Sequence, residues 1–234
     1  MGVYIGTNSI FVPESPYCWY EFNWDYKDKT WNFGAASWTS TFATLDSWQQ
    51  VLQTDWTNVV LLPSEVTSSA ITTYTIAFWM KTLTTSPTYW YYLWCGSAWS
   101  NPSMSFYEST SWRNYYEWTN SSSASKNNRD ITISWMTTWW RMVTLRSNWT
   151  GRSAVVFTIN GTNTATTAGT SWSDSSSIFW WSKQLAIWAR RPNPTTDTWL
   201  RTSIQISNFV ISHSYWSDTE LQNFYDETKT LYWL

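Results

Sequence analysis

The segment Tyr74-Thr-Ile-Ala-Phe-Trp-Met-Lys81 constrains the fold more than any other part of the chain. At the two-residue period of a strand, Ile76, Phe78 and Met80 share one face and Ala77 and Trp79 the other, so both faces are apolar at its centre. Such a strand belongs in the middle of a sheet covered on both sides. Further candidates follow at short spacing: Trp140 to Arg146, Ala154 to Asn160, Leu185 to Ala189 and Ser203 to Ser212. That spacing, with polar turns between, predicts a sandwich or barrel. Ser147 to Gly151 reads as a hairpin loop, and Asn160-Gly161 closes the next hairpin with the strongest short turn signal. One helix is predicted, opened by the capping box Ser217-Asp-Thr-Glu220, with Leu221, Phe224 and Tyr225 on one face. The polar stretch Ser121 to Asn128 reads as an exposed loop or edge.

A length of 234 residues suits one all-β domain, or at most two small ones. Charged residues make up 13% and aromatics 20%, a balance that favours β structure over helical or disordered classes. A net charge of −2 supplies no basic field for a phosphate backbone, so nucleic acid is not an expected partner. No stretch approaches the roughly 18 to 20 apolar residues of a spanning helix. Residues 1 to 16 carry a β-prone start broken by Pro13 and Pro16, read as an N-terminal arm or leading strand ahead of a domain spanning 17 to 234. They lack the basic and apolar regions of a classical signal. The expectation is an extracellular, cell-surface or virion protein that leaves the cell by another route. Cys18 and Cys95 read either as a disulfide or as two buried thiols.

Tryptophan occurs 23 times and glycine only 7, against about 7% glycine in ordinary chains. Trp24, Trp31, Trp149 and Trp199 stand in segments that read as turns, where glycine reaches φ > 0 without a Cβ clash. Two readings compete. In one, the rings are stacking platforms for sugars. In the other, many stand at UGA codons that some bacterial lineages, and the viruses infecting them, translate as glycine. On the second reading Trp79 is buried, while those four sit exposed in loops.

Five segments, in order, resemble the laminin-G-like, concanavalin-A-like jelly-roll family over roughly Tyr17 to Tyr225. These are Trp19-Tyr-Glu-Phe-Asn-Trp-Asp-Tyr-Lys-Asp-Lys-Thr-Trp-Asn32, Tyr74 to Lys81, Trp140-Arg-Met-Val-Thr-Leu145, Val155 to Gly161, and Leu185 to Ala189 with Ile204 to Ile211 and the capped helix. The resemblance implies an all-β, two-sheet antiparallel jelly-roll sandwich with one short C-terminal helix. It matches Trp79 and Trp140 to tryptophans of the family, whereas Trp24, Trp31, Trp139, Trp149 and Trp188 fall where the family carries glycine.

Catalytic constellations are sparse. The single histidine, His213, has no nucleophile motif beside it and reads as structural or surface. None of the predicted strands carries alternating carboxylates, so a glycoside hydrolase would need them from separate strands. Asp25, Asp28 and Asn32 crowd one loop with the hard oxygen ligands Ca²⁺ prefers, although Asp and Asn also simply make turns. Among the central aromatics, Tyr92, Arg113, Tyr115 and Tyr116 are the candidate ligand-binding residues, chosen because their identity does not depend on a UGA codon. The function expected is a non-enzymatic binding or adhesion module, for a polysaccharide, a cell-surface glycan or another surface partner. The alternative is a purely structural virion or fibre component that oligomerises and binds no sugar.

Overall fold

The computed structural model describes residues 3–5, 10–12, 16–38, 41–45, 49–54, 60–83, 90–95, 104–108, 114–119, 126–131, 139–148, 155–164, 166–168, 178–179, 184–187 and 203–232. For 3–5, 10–12, 38, 90–91, 108, 114–119, 126–131 and 166–168 it describes the backbone only. In chain order the strands are β1 (Val3–Ile5), β2 (Ile10–Val12), β3 (Cys18–Tyr20), β4 (Ser37–Trp38), β5 (Thr41–Thr44), β6 (Gln50–Gln53), β7 (Val60–Leu61), β8 (Tyr74–Thr82), β9 (Trp90–Cys95), β10 (Met104–Glu108), β11 (Asn114–Thr119), β12 (Lys126–Ile131), β13 (Arg141–Ser147), β14 (Val155–Ile159), β15 (Thr162–Asn163), β16 (Thr166–Ala168), β17 (Leu185–Ile187) and β18 (Ile204–Ser212). One helix, α1 (Asp218–Thr228), follows.

Among the described residues the strands form two eight-stranded antiparallel sheets and a separate hairpin. Sheet I has the order β15-β14-β13-β8-β18-β6-β5, with β3 also paired to β18; sheet II has the order β16-β12-β11-β10-β9-β17-β7-β4. The chain crosses repeatedly between them, which makes the jelly-roll sandwich that the five segments imply. β8 lies between β13 and β18, as its two apolar faces require. Ile76, Phe78 and Met80 enter the core between the sheets with Phe106, Val143, Phe157 and Phe209. Ala77 and Trp79 face the other way, into a second cluster with Trp140, Met142, Trp216, Leu221 and Phe224, where α1 covers the outer face of sheet I.

Local signals hold where they were strongest. Asn160 and Gly161 have φ of 51° and 76°, and the hairpin they close joins β14 to β15. Ser217 accepts from the Glu220 backbone N–H while the Glu220 carboxylate accepts from the Ser217 N–H, a complete capping box. Leu221 and Phe224 are buried, and Tyr225 stacks on Trp79. Of the stretch 121–128, expected to be an exposed loop or edge, residues 126–128 belong to strand β12 and pair only with β11, which leaves them at the sheet edge, while 129–131 also pair with β16; residues 121–125 lie outside the described residues. The N-terminal piece is a hairpin, β1 with β2, belonging to neither large sheet. Cys18 and Cys95 are both buried, unbridged thiols, on β3 and β9 of opposite sheets.

Candidate functional site

The loop from Glu21 to Gly34 holds the three residues expected to bind calcium. Asp28 is buried, and its carboxylate organises the loop. Oδ1 accepts from the N–H of Trp19 (2.9 Å) and of Thr30 (3.1 Å); Oδ2 accepts from the Thr30 hydroxyl (2.6 Å) and the Phe33 N–H (3.0 Å). Four donors fill the lone-pair sites a carboxylate offers. Asp25 instead pairs with Lys29 at 3.1 Å, and Asn32 donates from Nδ2 to the Tyr17 carbonyl. Asp28 thus staples the loop, while Asp25 and Asn32 each make separate contacts of their own. Among the described residues no three His, Cys, Asp or Glu come together as a metal site. Beside the loop, burial raises the Glu21 carboxyl above its usual value, opposed by Lys29 at 3.8 Å.

The same loop carries two exposed tryptophans in left-handed backbone. Trp24 has φ 67° and is 70% exposed; Trp31 has φ 63° and is 82% exposed. The Trp31 N–H donates to the Asp28 carbonyl, which places Trp31 at the last position of a β-turn, where glycine is favoured. Phe22 and Phe179 also have positive φ, but both are fully buried, and burial offsets the strain. Trp24 and Trp31 gain no such compensation. Trp139 is 71% exposed, while Trp19, Trp79, Trp94 and Trp216 are among the largest fully buried side chains. Trp149, Trp188 and Trp199 lie outside the described residues.

The outer face of sheet II brings together a different set. Directly paired residues of adjacent antiparallel strands share a face. Phe106 lies in the core, so its neighbour Tyr107 falls on the outer face, half-buried against Trp94. From Tyr107 one row runs Tyr91, Tyr107, Tyr115, Asp130, Thr167 across β9, β10, β11, β12 and β16. The next row runs Ala186, Trp94, Ser105, Glu117, Asn128. These rows juxtapose aromatic and hydrogen-bonding residues on one face of the sheet, where Ala186, Trp94 and Ser105 are buried.

Among the described ligand-binding candidates, Tyr115 takes a position there. Tyr116 pairs with Phe106 and so occupies the core-side face. Tyr92 is a correction: it is fully buried, its ring 5.2 Å from that of Phe106, and offers no platform. A register shift between Phe106 and Tyr107 puts both Tyr92 and Leu93 into the core, breaking the alternation expected of a strand. Arg113 lies outside the described residues. Tyr107, Glu117 and Asp130 were not singled out from sequence, because only strand pairing brings them beside Tyr115. His213 stacks on Tyr17 at 3.7 Å and burial lowers its pKa.

No family model and no curated protein matches the chain in sequence. Solved structures do resemble it. Domain 4 of AbnA, a GH43 extracellular arabinanase from Geobacillus stearothermophilus, solved in complex with arabinotriose, superposes with a TM-score of 0.61 at 15% identity, covering 88% of this chain and 96% of that one. The botulinum neurotoxin serotype D binding domain superposes at 0.61 with 12% identity, covering 90% of this chain and 51% of that one. The binding domain of botulinum neurotoxin DC, in complex with rat synaptotagmin II, gives 0.61 and 12%, covering 91% and 51%. The chain therefore spans about half the length of the neurotoxin domains. At these identities the likeness establishes a fold, the β-sandwich shared with a domain that holds arabinotriose and with receptor-binding domains.

Proposed function

We propose that this chain is a non-enzymatic binding module of the laminin-G-like, concanavalin-A-like kind, recognising a glycan or another surface partner on a cell or virus particle. The observation that carries the reading is the asymmetry of the sandwich. α1 seals the outer face of sheet I, while the outer face of sheet II brings tyrosines and hydrogen-bonding residues into adjoining rows. The arabinotriose complex of a similarly folded domain supports a sugar as the ligand. A glycan array probed with the purified chain tests it, and a chain that binds nothing and purifies as a defined oligomer belongs to the structural alternative instead.

A hydrolase is favoured by one specific observation. Glu117 and Asp130 hold diagonal positions on adjacent strands of that face, the arrangement of carboxylates from separate strands that such an enzyme needs. Reducing-sugar release that is abolished by Glu117→Gln would replace the binding reading.

The glycine reading of the exposed tryptophans is proposed for Trp24 and Trp31, on the strength of their left-handed φ. The coding DNA tests it: UGG at both positions removes recoding from consideration.

A further inference from the structure

We propose that Glu21, Asp25 and Lys29 form a proton-operated clasp, which holds the loop 21–34 more tightly in mild acid than at neutral pH. The loop is a strained segment pinned at two places. Phe22, Trp24 and Trp31 all hold left-handed backbone, and so does Asn208, at the register shift of β18. Conformations of this kind persist only where the surroundings over-determine them. One pin is Asp28, held by three backbone N–H groups and the Thr30 hydroxyl. The other is Glu21. Its main-chain carbonyl accepts from the Ser207 hydroxyl at 2.8 Å and from the Asn208 N–H at 3.2 Å, which fixes the start of the loop to the shifted part of β18.

The two pins differ in what undoes them, because the Glu21 carboxylate depends on a shared cation. Lys29 Nζ lies 3.1 Å from Asp25 Oδ2 and 3.8 Å from Glu21 Oε2, so two carboxylates divide one ammonium and the trio carries excess negative charge. The Glu21 side chain is only 17% exposed, which leaves it the least hydrated of the three. Lys29, Asp25 and the Asn23 side chain face it from the loop, and Tyr232 faces it from the turn after α1; β18 presents the uncharged Ser207 and Asn208. Burial raises the Glu21 carboxyl above its ordinary value, Lys29 opposes this, and the charge of Asp25 adds to it. The folded loop therefore takes up a proton more readily than the unfolded chain. The stability so gained is complete below the unfolded value, about pH 4.3, and is lost as pH rises through the higher folded one. Asp218 and Asp226 are shifted the other way and act below that window. His213, also lowered, opposes Glu21 within it, but stacks on Tyr17 rather than on the clasp.

Hydrogen exchange of the full chain tests the proposal, followed by mass spectrometry from about pH 7.5 to about pH 4.5 with a chelator present and divided by the intrinsic chemical rate. Peptides within 21–34 are expected to become several-fold better protected toward acid. Glu21→Gln, neutral throughout, is expected to show that protection already at the upper pH, with no further gain below. Asp25→Asn leaves Lys29 to Glu21 alone and is expected to move the transition to lower pH, which keeps the test informative should Glu21→Gln fail to fold. The difference between each variant and the parent removes His213 from the comparison. Loop protection that is flat with pH, or that rises toward acid equally in Glu21→Gln, overturns the proposal. So does protection lost toward acid in the parent and kept in Glu21→Gln, since the ion pair with Lys29 then outweighs burial.

Discussion

Replacing Trp24 and Trp31 by glycine, singly and together, is expected to stabilise the protein, although large-to-small substitutions normally destabilise. Left-handed backbone costs a residue with a Cβ about 1–2 kcal/mol. Against this, glycine carries an entropic penalty of roughly 0.5–1 kcal/mol. Side-chain burial adds little to the balance. The two rings are 70% and 82% exposed, and a denatured chain already hides roughly 10–40% of its extended surface, so folding buries almost nothing more of them. The net gain is about 0.5–1 kcal/mol per site, or about 1–2 kcal/mol for the double variant, which for a chain of this size raises Tm by about 2–8 °C. The comparison is Trp79→Gly. Trp79 is fully buried, donates from Nε1 to Thr228 Oγ1 at 2.8 Å and stacks on Tyr232 at 4.4 Å, so its loss is expected to cost at least about 3–5 kcal/mol. Urea denaturation and thermal melts of the four variants and the parent chain give both quantities. If Trp24→Gly and Trp31→Gly each destabilise by more than the error of the fit, the strain argument is refuted at its root.

Three further outcomes follow from the structure. Asp28→Ala orphans the buried donors around its carboxylate and is expected to cost about 3 kcal/mol in urea denaturation, taking each at the lower end of about 1–3 kcal/mol; Ca²⁺ or a chelator is expected to leave Tm unchanged, and a chelator-sensitive melt would overturn the assignment of Asp28 as a loop staple. The hydrogen bond from Arg146 holds the Asp218 carboxyl below its ordinary value, so the stability it contributes is complete above the unfolded value near pH 3.9 and is lost as pH falls through the lower folded one. Asp218→Asn should therefore lower stability at pH 7 and flatten its decline below about pH 4 in denaturation series, because Arg146 is buried and loses its anionic partner. Gly161→Ala is expected to cost about 1–2 kcal/mol in the same assay, since φ is 76° there and the new Cβ would also displace the Gln222 side chain.

What the sequence makes legible is whatever is decided within a few residues. The alternation of β8, the Asn160-Gly161 hairpin and the Ser217 capping box each carry their own signal, and each reappears in the structure. The anomaly of Trp24 and Trp31 was legible for the same reason, because turn chemistry is local. The candidate site was not. Tyr92 and Tyr115 look alike as aromatic residues of polar-flanked strands, and only the register of β9, β10 and β11, with its shift beside Phe106, puts Tyr92 in the core and Tyr115 in the pairing row of Tyr107. β12 was invisible because Lys126 to Asp130 is polar throughout, and its place in the sheet comes from backbone pairing with β11 and β16. The role of Asp28 as a loop staple is hidden for a related reason. Its oxygens are satisfied by backbone N–H groups, and every residue but proline has one, so no side-chain pattern announces them.

The position of α1 gives the sandwich a front and a back. The helix lies on sheet I, and β2 of the N-terminal hairpin lies against it, so the two ends of the described chain gather on one side. The tyrosine rows of sheet II are on the other. A tether or neighbouring domain joined at either end would hold the molecule by the helix side, so many copies anchored on a common surface would all turn sheet II to the side away from the anchor.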